Sequence, residues 1–247
     1  MRRIVAQMIF LPFLCNKIAI IELFYIGNMH AKAITVMVQQ TILNTEIKDG
    51  MNSVEKGVKR FFDFIGALVG IVLLSPVYVF VYILLKHQGD GPVIYRQERI
   101  GYGGKPFYIL KFRTMEVDSE DNGTPQLAQK DDDRLTPVGK FLREHHLDEL
   151  PQLVNVLRGE MSFVGPRPER KYFIDQIMEM NSDYQYIYLM RPGTTSMATI
   201  YNGYTDTMEK MLIRLQMDLD YLQKRSLWLD IKVLCTTAEY ILFGKKF

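Results

Sequence analysis

Apolar residues cluster sharply along this chain. From Phe61 to Leu85 the sequence FFDFIGALVGIVLLSPVYVFVYILL runs for 25 residues with a single charge, Asp63. A straight helix of that length would measure about 38 Å and could cross a hydrocarbon core of about 30 Å. Ser75-Pro76 interrupts the run. Proline removes a backbone hydrogen bond and clashes with the preceding turn, so a kink or break is expected there. The two halves, about 21 Å and 14 Å long, are each too short to cross alone. Lys56, Lys59 and Arg60 precede the run, and Lys86 and His87 follow it. The positive-inside tendency then puts both ends on the cytoplasmic side. A re-entrant hairpin satisfies both facts; on these residues alone a kinked spanning helix is an equal alternative.

After this segment the pattern changes. VIYRQERI (Val93–Ile100) and FYILKFRTM (Phe107–Met115) are rich in β-branched and aromatic residues, with Gly101, Gly103 and Gly104 between them. They predict a β-hairpin. Glu116–Asp133 has few apolar anchors and predicts a surface loop. Helical periodicity follows over Val138–His145, Glu149–Leu157, Arg170–Met180, Thr207–Leu222 and Leu227–Phe243. The expected fold class is α/β and mostly helical: an apolar helix-break-helix, a small hairpin and several amphipathic helices. Three parts are expected: an extension over 1–50, a membrane segment over 51–90 and a part of soluble character over 91–247, the candidate catalytic domain if the chemistry below is carried there. Arg2 and Arg3 before apolar runs imitate a signal peptide, but no small-x-small cleavage site follows. Met51 opens MNSVEKGVKR like a natural start. Residues 1–50 are therefore expected to be a poorly ordered extension or to lie upstream of the true start.

Composition removes several function classes. Lys and Arg total 30 against 28 Asp and Glu, a net charge of +2. A nucleic-acid binder with a broad cationic surface is not expected. Cys15 and Cys235 show no CxxC spacing, which disfavours a disulfide scaffold and a cysteine zinc site. There is no HxH or HExxH, no GxxxxGK[ST], no strand-GxGxxG-helix setting around GYGG and no GxSxG. Zinc hydrolases and the common nucleotide and hydrolase folds are thereby disfavoured. His145 and His146 are adjacent, point to different helix faces and read as solvated or interfacial.

Candidate chemistry gathers around Asp148-Glu149 in HHLDELPQL. Pro151 fits the first turn of a helix, so a helix is expected to begin at Asp148 or Glu149, with Asp148 as its N-cap. That cap is the plain structural reading of a lone Asp. Arg143 and Arg167 flank the segment, however, and helix N-termini favour phosphate. An acidic pair among arginines suits a divalent cation such as Mg²⁺, held by Asp148 and Glu149, and phosphoryl chemistry. Further cations stand in turn-rich motifs: Arg96 and Arg99 on the first strand, Lys111 and Arg113 two apart in KFRTM and so on one face of a strand, Arg167 in GPRP and Arg191 in RPG. Lys111, Arg113, Arg143, Arg167 and Arg191 are the candidate ligands of a diphosphate.

Residues 56 to about 243 resemble the bacterial sugar transferases, or monotopic phosphoglycosyl transferases. KRFFDFIGALVGIVLLSP, GPVIYRQERIGYGGKPFYILKFRTM, DDDRLTPVGKFLREHHLDELPQLVNVLRGEMSFVGPRPE and SLWLDIKVL carry the likeness, in that order. The resemblance implies transfer of a sugar 1-phosphate from a UDP-sugar to undecaprenyl phosphate with release of UMP, the first step of polysaccharide assembly. It implies Asp148 and Glu149 as the catalytic dyad, with Asp148 as the nucleophile of a covalent phosphosugar intermediate and Mg²⁺ as cofactor. It also implies that Ser75-Pro76 marks a re-entrant helix among membrane lipids. The catalytic domain would then lie on the cytoplasmic face of the bacterial inner membrane. One stretch departs from the family's usual RPGITGLAQVNGR: this chain reads RPGTTSMATIYNGY from Arg191 to Tyr204, which points to altered donor choice. Two other classes compete: a membrane-tethered scaffold in which Asp148 only caps a helix, and a glycosyltransferase that leaves UDP.

Overall fold

The computed structural model describes residues 47–89, 91–117, 132–203 and 205–243. The expectations for residues 1–46, and for most of the loop placed at Glu116–Asp133, lie outside the described residues. Lys48–Phe247 form one compact unit.

The apolar run folds as two helices, α1 (Ser53–Leu73) and α2 (Ser75–His87), bent by 60° at Leu74. A capping box starts α1: Asn52 accepts from the Glu55 amide while Glu55 accepts from the Asn52 amide. Pro76 stands in the first turn of α2, where its missing N–H loses no helical bond. No single helix among the described residues is long and apolar enough to cross a membrane, whereas the bent pair passes that test together.

One flank of each helix faces the rest of the unit. Asp63, the lone charge of the run, is buried and accepts the Phe163 amide at 3.1 Å. Lys59 pairs with Asp230 at 2.5 Å. Val81 and Leu85 of α2 pack with Val93, Phe112 and Leu142. The opposite flanks leave Phe61, Phe62, Leu68, Val69, Val72, Leu73, Val79, Phe80 and Ile83 exposed. So many exposed apolar residues on two adjacent helices mark a surface that water does not suit.

Strands β1 (Ile94–Ile100) and β2 (Pro106–Phe112) form the expected antiparallel hairpin, with Ile94 opposite Phe112 and Tyr95 opposite Lys111. Gly103 (φ 67°) and Gly104 (φ 71°) supply the left-handed backbone of its turn. Arg113 lies past the end of β2, which corrects the expectation that it shares a strand face with Lys111. It is buried instead, its guanidinium against the backbone of Gly91.

The helices that follow are α3 (Pro137–Glu144) and α4 (Gln152–Arg158). A second sheet, absent from the expectations, pairs β3 (Ser162–Val164) in parallel with β4 (Gly193–Thr195). Three residues are too few to show a period of two in sequence. Gly165 and Gly193 are pressed backbone to backbone there, leaving no room for a Cβ on either. Helices α5 (Lys171–Met180), α6 (Met197–Asn202), α7 (Met208–Lys224) and α8 (Leu227–Leu242) complete the unit. Asp49 and Gly50 belong to this packing. Asp49 takes the Arg225 guanidinium at 2.6 Å, Gly50 donates to the Leu222 carbonyl at 2.9 Å, and Met51 is buried.

Candidate active site

The hairpin is fixed to its surroundings from two sides. Phe107 and Ile109, on one face of β2, pack against Ala67, Val156 and Met161. The edge of β2 that β1 does not pair is held by one side chain. Asn155 of α4, fully buried, accepts from the Leu110 amide at 3.0 Å and donates to the Tyr108 carbonyl at 2.8 Å. Its amide also donates to Glu160 at 2.7 Å. A single asparagine thus imitates a neighbouring strand and sets the distance between α4 and Lys111.

The dyad stands just before α4. Thr136 caps the start of α3, which ends at Glu144 with His145 as its C-cap. His146 then takes a left-handed conformation (φ 54°), the only non-glycine residue among those described with a positive φ. Leu147–Glu149 form a single 3-10 turn, and α4 begins only at Gln152, with Pro151 before it. The expected helix start at Asp148 or Glu149 is therefore corrected, and so is Asp148 as its N-cap. Among the described residues no backbone amide donates to Asp148. The reversal at His146 is the physical reason: it ends one helix and turns the chain so that both carboxylates face the hairpin. The Leu150 carbonyl accepts from Tyr78 of α2 at 2.5 Å, which ties the turn to the bent helix pair.

Lys111 meets both acids, reaching Glu149 Oε1 at 2.5 Å and Asp148 Oδ2 at 3.9 Å, while Arg167 stands 4.0 Å from Glu149 Oε1. The two neighbours are held in opposite ways. Burial pushes the Asp148 carboxyl up, and the charge of Glu149 adds to this, against the pull of Lys111, Arg143 and His146. Burial also acts on Glu149, but Lys111 and Arg167 outweigh it and hold that carboxyl down at about 2. Two adjacent acids with divergent proton affinities are a frequent mark of catalytic sites.

Of the predicted site residues, the structure gathers Lys111, Arg143, Asp148, Glu149 and Arg167. It does not bring Arg113 or Arg191 to them. Arg191 donates to the Gly159 carbonyl at 3.0 Å and lies over the Tyr102 ring, 5.0 Å from its centroid. Sequence reasoning missed Asn155, Tyr78 and Glu169. Buried Glu169 bridges Arg214 of α7 and Arg99 of β1, and Arg99 also donates to the Pro168 carbonyl at 3.0 Å. This bridge fixes the Pro166–Pro168 turn that carries Arg167. The Glu in GPRPE was the available signal: an acid beside a proline-locked turn needs a partner when buried.

Asp148 and Glu149 also fit a hard divalent cation. Both are oxygen ligands, and Asp148 is buried with no amide donor to occupy it. Among the described residues no group of three or more His, Cys, Asp or Glu could hold a metal. Mg²⁺ needs only one or two carboxylates from the protein and completes its shell with water and substrate phosphate.

Residues 54–244 match the family described as bacterial sugar transferase. The chain belongs to that family. The chain is 40% identical over 187 residues to a UDP-N-acetylgalactosamine-undecaprenyl-phosphate N-acetylgalactosaminephosphotransferase of Aeromonas hydrophila, covering 76% of this chain and 44% of the relative. It is 41% identical over 190 residues to a UDP-glucose:undecaprenyl-phosphate glucose-1-phosphate transferase of Escherichia coli K12, covering 76% and 41%. A transferase of the same description from Caulobacter vibrioides is 42% identical over 186 residues, covering 74% and 69%. The chain thus spans less than half the length of these first two relatives.

Proposed function

We propose that this chain is a phosphoglycosyl transferase that moves a sugar 1-phosphate from a UDP-sugar to undecaprenyl phosphate and releases UMP. The observation that carries the reading is the Asp148–Glu149 pair under Lys111, in a chain whose relatives are named for this reaction. In the first step a carboxylate oxygen of Asp148 bonds to the phosphorus nearest the sugar. The bond from that phosphorus to the bridging oxygen breaks, and the oxygen leaves with UMP. In the second step a phosphate oxygen of the acceptor bonds to the same phosphorus. The Asp148–phosphorus bond breaks, restoring the carboxylate and leaving a lipid diphosphate sugar.

Chemistry supports the division of labour. A carboxylate with raised proton affinity is the better nucleophile of the two, which favours Asp148. Lys111 keeps Glu149 ionised and places a cation beside the incoming diphosphate, with Arg143 and Arg167 nearby. Asp148 and Glu149 would hold Mg²⁺, whose charge offsets that of the donor diphosphate. Two steps let two anionic phosphates use one cationic site in turn. The 60° bend, the exposed apolar flanks of α1 and α2 and the basic residues at both ends support a re-entrant anchor, with the catalytic unit at the cytoplasmic face of the inner membrane. Purified protein given a panel of UDP-sugars and undecaprenyl phosphate should release UMP with at least one donor. Release of UDP instead would replace this reading with ordinary sugar transfer.

A further inference from the structure

Where α2 ends, an open cleft of about 610 Å³ lies between its last turns and the start of β1, lined by Tyr82, Lys86, Pro92, Val93, Ile94, Tyr95 and Arg96. Two of these residues are cations and none is an acid. Lys86 and Arg96 are exposed, and neither has a hydrogen-bond or ion-pair partner among the described residues. The rest of the lining is apolar or aromatic, with Tyr82 and Tyr95 half exposed. On α2 the cleft continues into the exposed apolar flank of Val79, Phe80 and Ile83. On β1 it reaches Tyr95, the register partner of Lys111, which touches Glu149.

We propose that this cleft captures the phosphate head of the lipid acceptor as it leaves the bilayer, next to the strand pair that carries the dyad's lysine. The proposal rests on the phosphoglycosyl transferase reading above. A lipid phosphate monoester carries a charge of about −1.5 to −2 near neutral pH. Two cations with no partner among the described residues match that charge, whereas an ordinary phospholipid diester brings only one. Arg96 can take two phosphate oxygens through its planar fork, and Lys86 can approach as a point charge whose stem lies along the apolar wall. The tail of such a lipid would follow the exposed flank of α2, which carries no charge from Ser75 to Leu85. The cleft therefore sorts the acceptor by both of its parts, an apolar chain and a doubly charged end.

The test uses the full chain in phosphatidylcholine nanodiscs, with Lys86→Ala/Arg96→Ala as the variant and Lys86→Arg/Arg96→Lys as the conservative control. Two quantities are read: the acceptor KM in turnover, and the burst of UMP from donor alone, which needs no acceptor and reports folding. The alanine variant should raise the acceptor KM about tenfold, the size that two exposed charge contacts supply together. The donor burst should stay intact, and the conservative variant should recover most of the KM. An unchanged acceptor KM overturns the proposal, as does a burst that falls in parallel with turnover. Repeating the assay with phosphatidylglycerol in the discs separates acceptor from bulk lipid. A KM defect that persists in both compositions supports capture of the acceptor. A defect confined to retention on phosphatidylglycerol discs assigns the cleft to ordinary anionic lipid and overturns it. Absence of any UMP burst in the unmodified protein would instead bring down the underlying reading, and the cleft's role with it.

Discussion

Replacing Asn155 with leucine keeps the branched arrangement of heavy atoms and removes every hydrogen bond that its side chain makes. The Leu110 amide and the Tyr108 carbonyl lose their partners at 3.0 Å and 2.8 Å, and Glu160 loses a donor at 2.7 Å. Asn155 is fully buried, so water cannot readily replace it. A buried backbone group left unsatisfied costs about 1–3 kcal/mol, so the two together cost about 2–6 kcal/mol. For a unit of this size each kcal/mol lowers Tm by about 2–4 °C, so a fall of about 4–24 °C is expected. Thermal unfolding in detergent, followed by the near-ultraviolet signal of the aromatic residues, measures it. UMP release assayed well below the lowered Tm should also drop, because the Leu110 amide held by Asn155 immediately precedes Lys111. An Asn155→Leu protein that melts within about 2 °C of the unmodified one would refute the claim that this side chain stands in for a strand.

Burial lifts the Asp218 carboxyl on α7 to about 7 from its ordinary 3.8, against the pull of Arg214. The folded state then holds that proton more tightly than the unfolded state, so stability falls as pH rises from about 4 to about 7. Asp218→Asn should therefore melt higher than the unmodified protein at about pH 8, with the gap closing near pH 4, in thermal scans across that range. Lys111→Met should cut UMP release by about 10–100-fold while Lys111→Arg retains more of it, because a cation beside the dyad is lost in one and kept in the other. A chain that starts at Met51 loses the Asp49–Arg225 pair and the Gly50–Leu222 bond; it should melt lower than one that starts at Lys48, as a side-by-side thermal scan would show.

The parts of the fold that depend on local pattern were legible in sequence. The break at Ser75-Pro76, the hairpin within Val93–Met115 and five of the six later helices follow from proline chemistry, glycine placement and periodicity; α6 (Met197–Asn202) was not among the expected helices. What was not legible depends on contacts across long separations. Asp63 looked like a blemish in an apolar run, yet it accepts the amide of Phe163, 100 residues away. Asn155 gave no sign that it serves β2. At the site, the two carboxylates and the cations Lys111, Arg143 and Arg167 could be named from residue type and motif, but not their grouping. Arg113 and Arg191 looked equivalent to these in sequence, and only packing against Gly91 and Tyr102 distinguishes them. The cap assigned to Asp148 failed because a left-handed His146 cannot be read from a histidine's identity.

The claim that Asp148 is the nucleophile has a direct test in the mass of the intact protein. Incubated with its UDP-sugar and no acceptor, then quenched in acid, the unmodified chain should gain the mass of one sugar phosphate, released on adding undecaprenyl phosphate. Asp148→Asn keeps the side chain's size and should fold, yet it should gain no mass and release no UMP. Peptide mapping should place the adduct on Asp148. An adduct on another residue, or near-normal turnover by Asp148→Asn free of deamidation, would contradict the account.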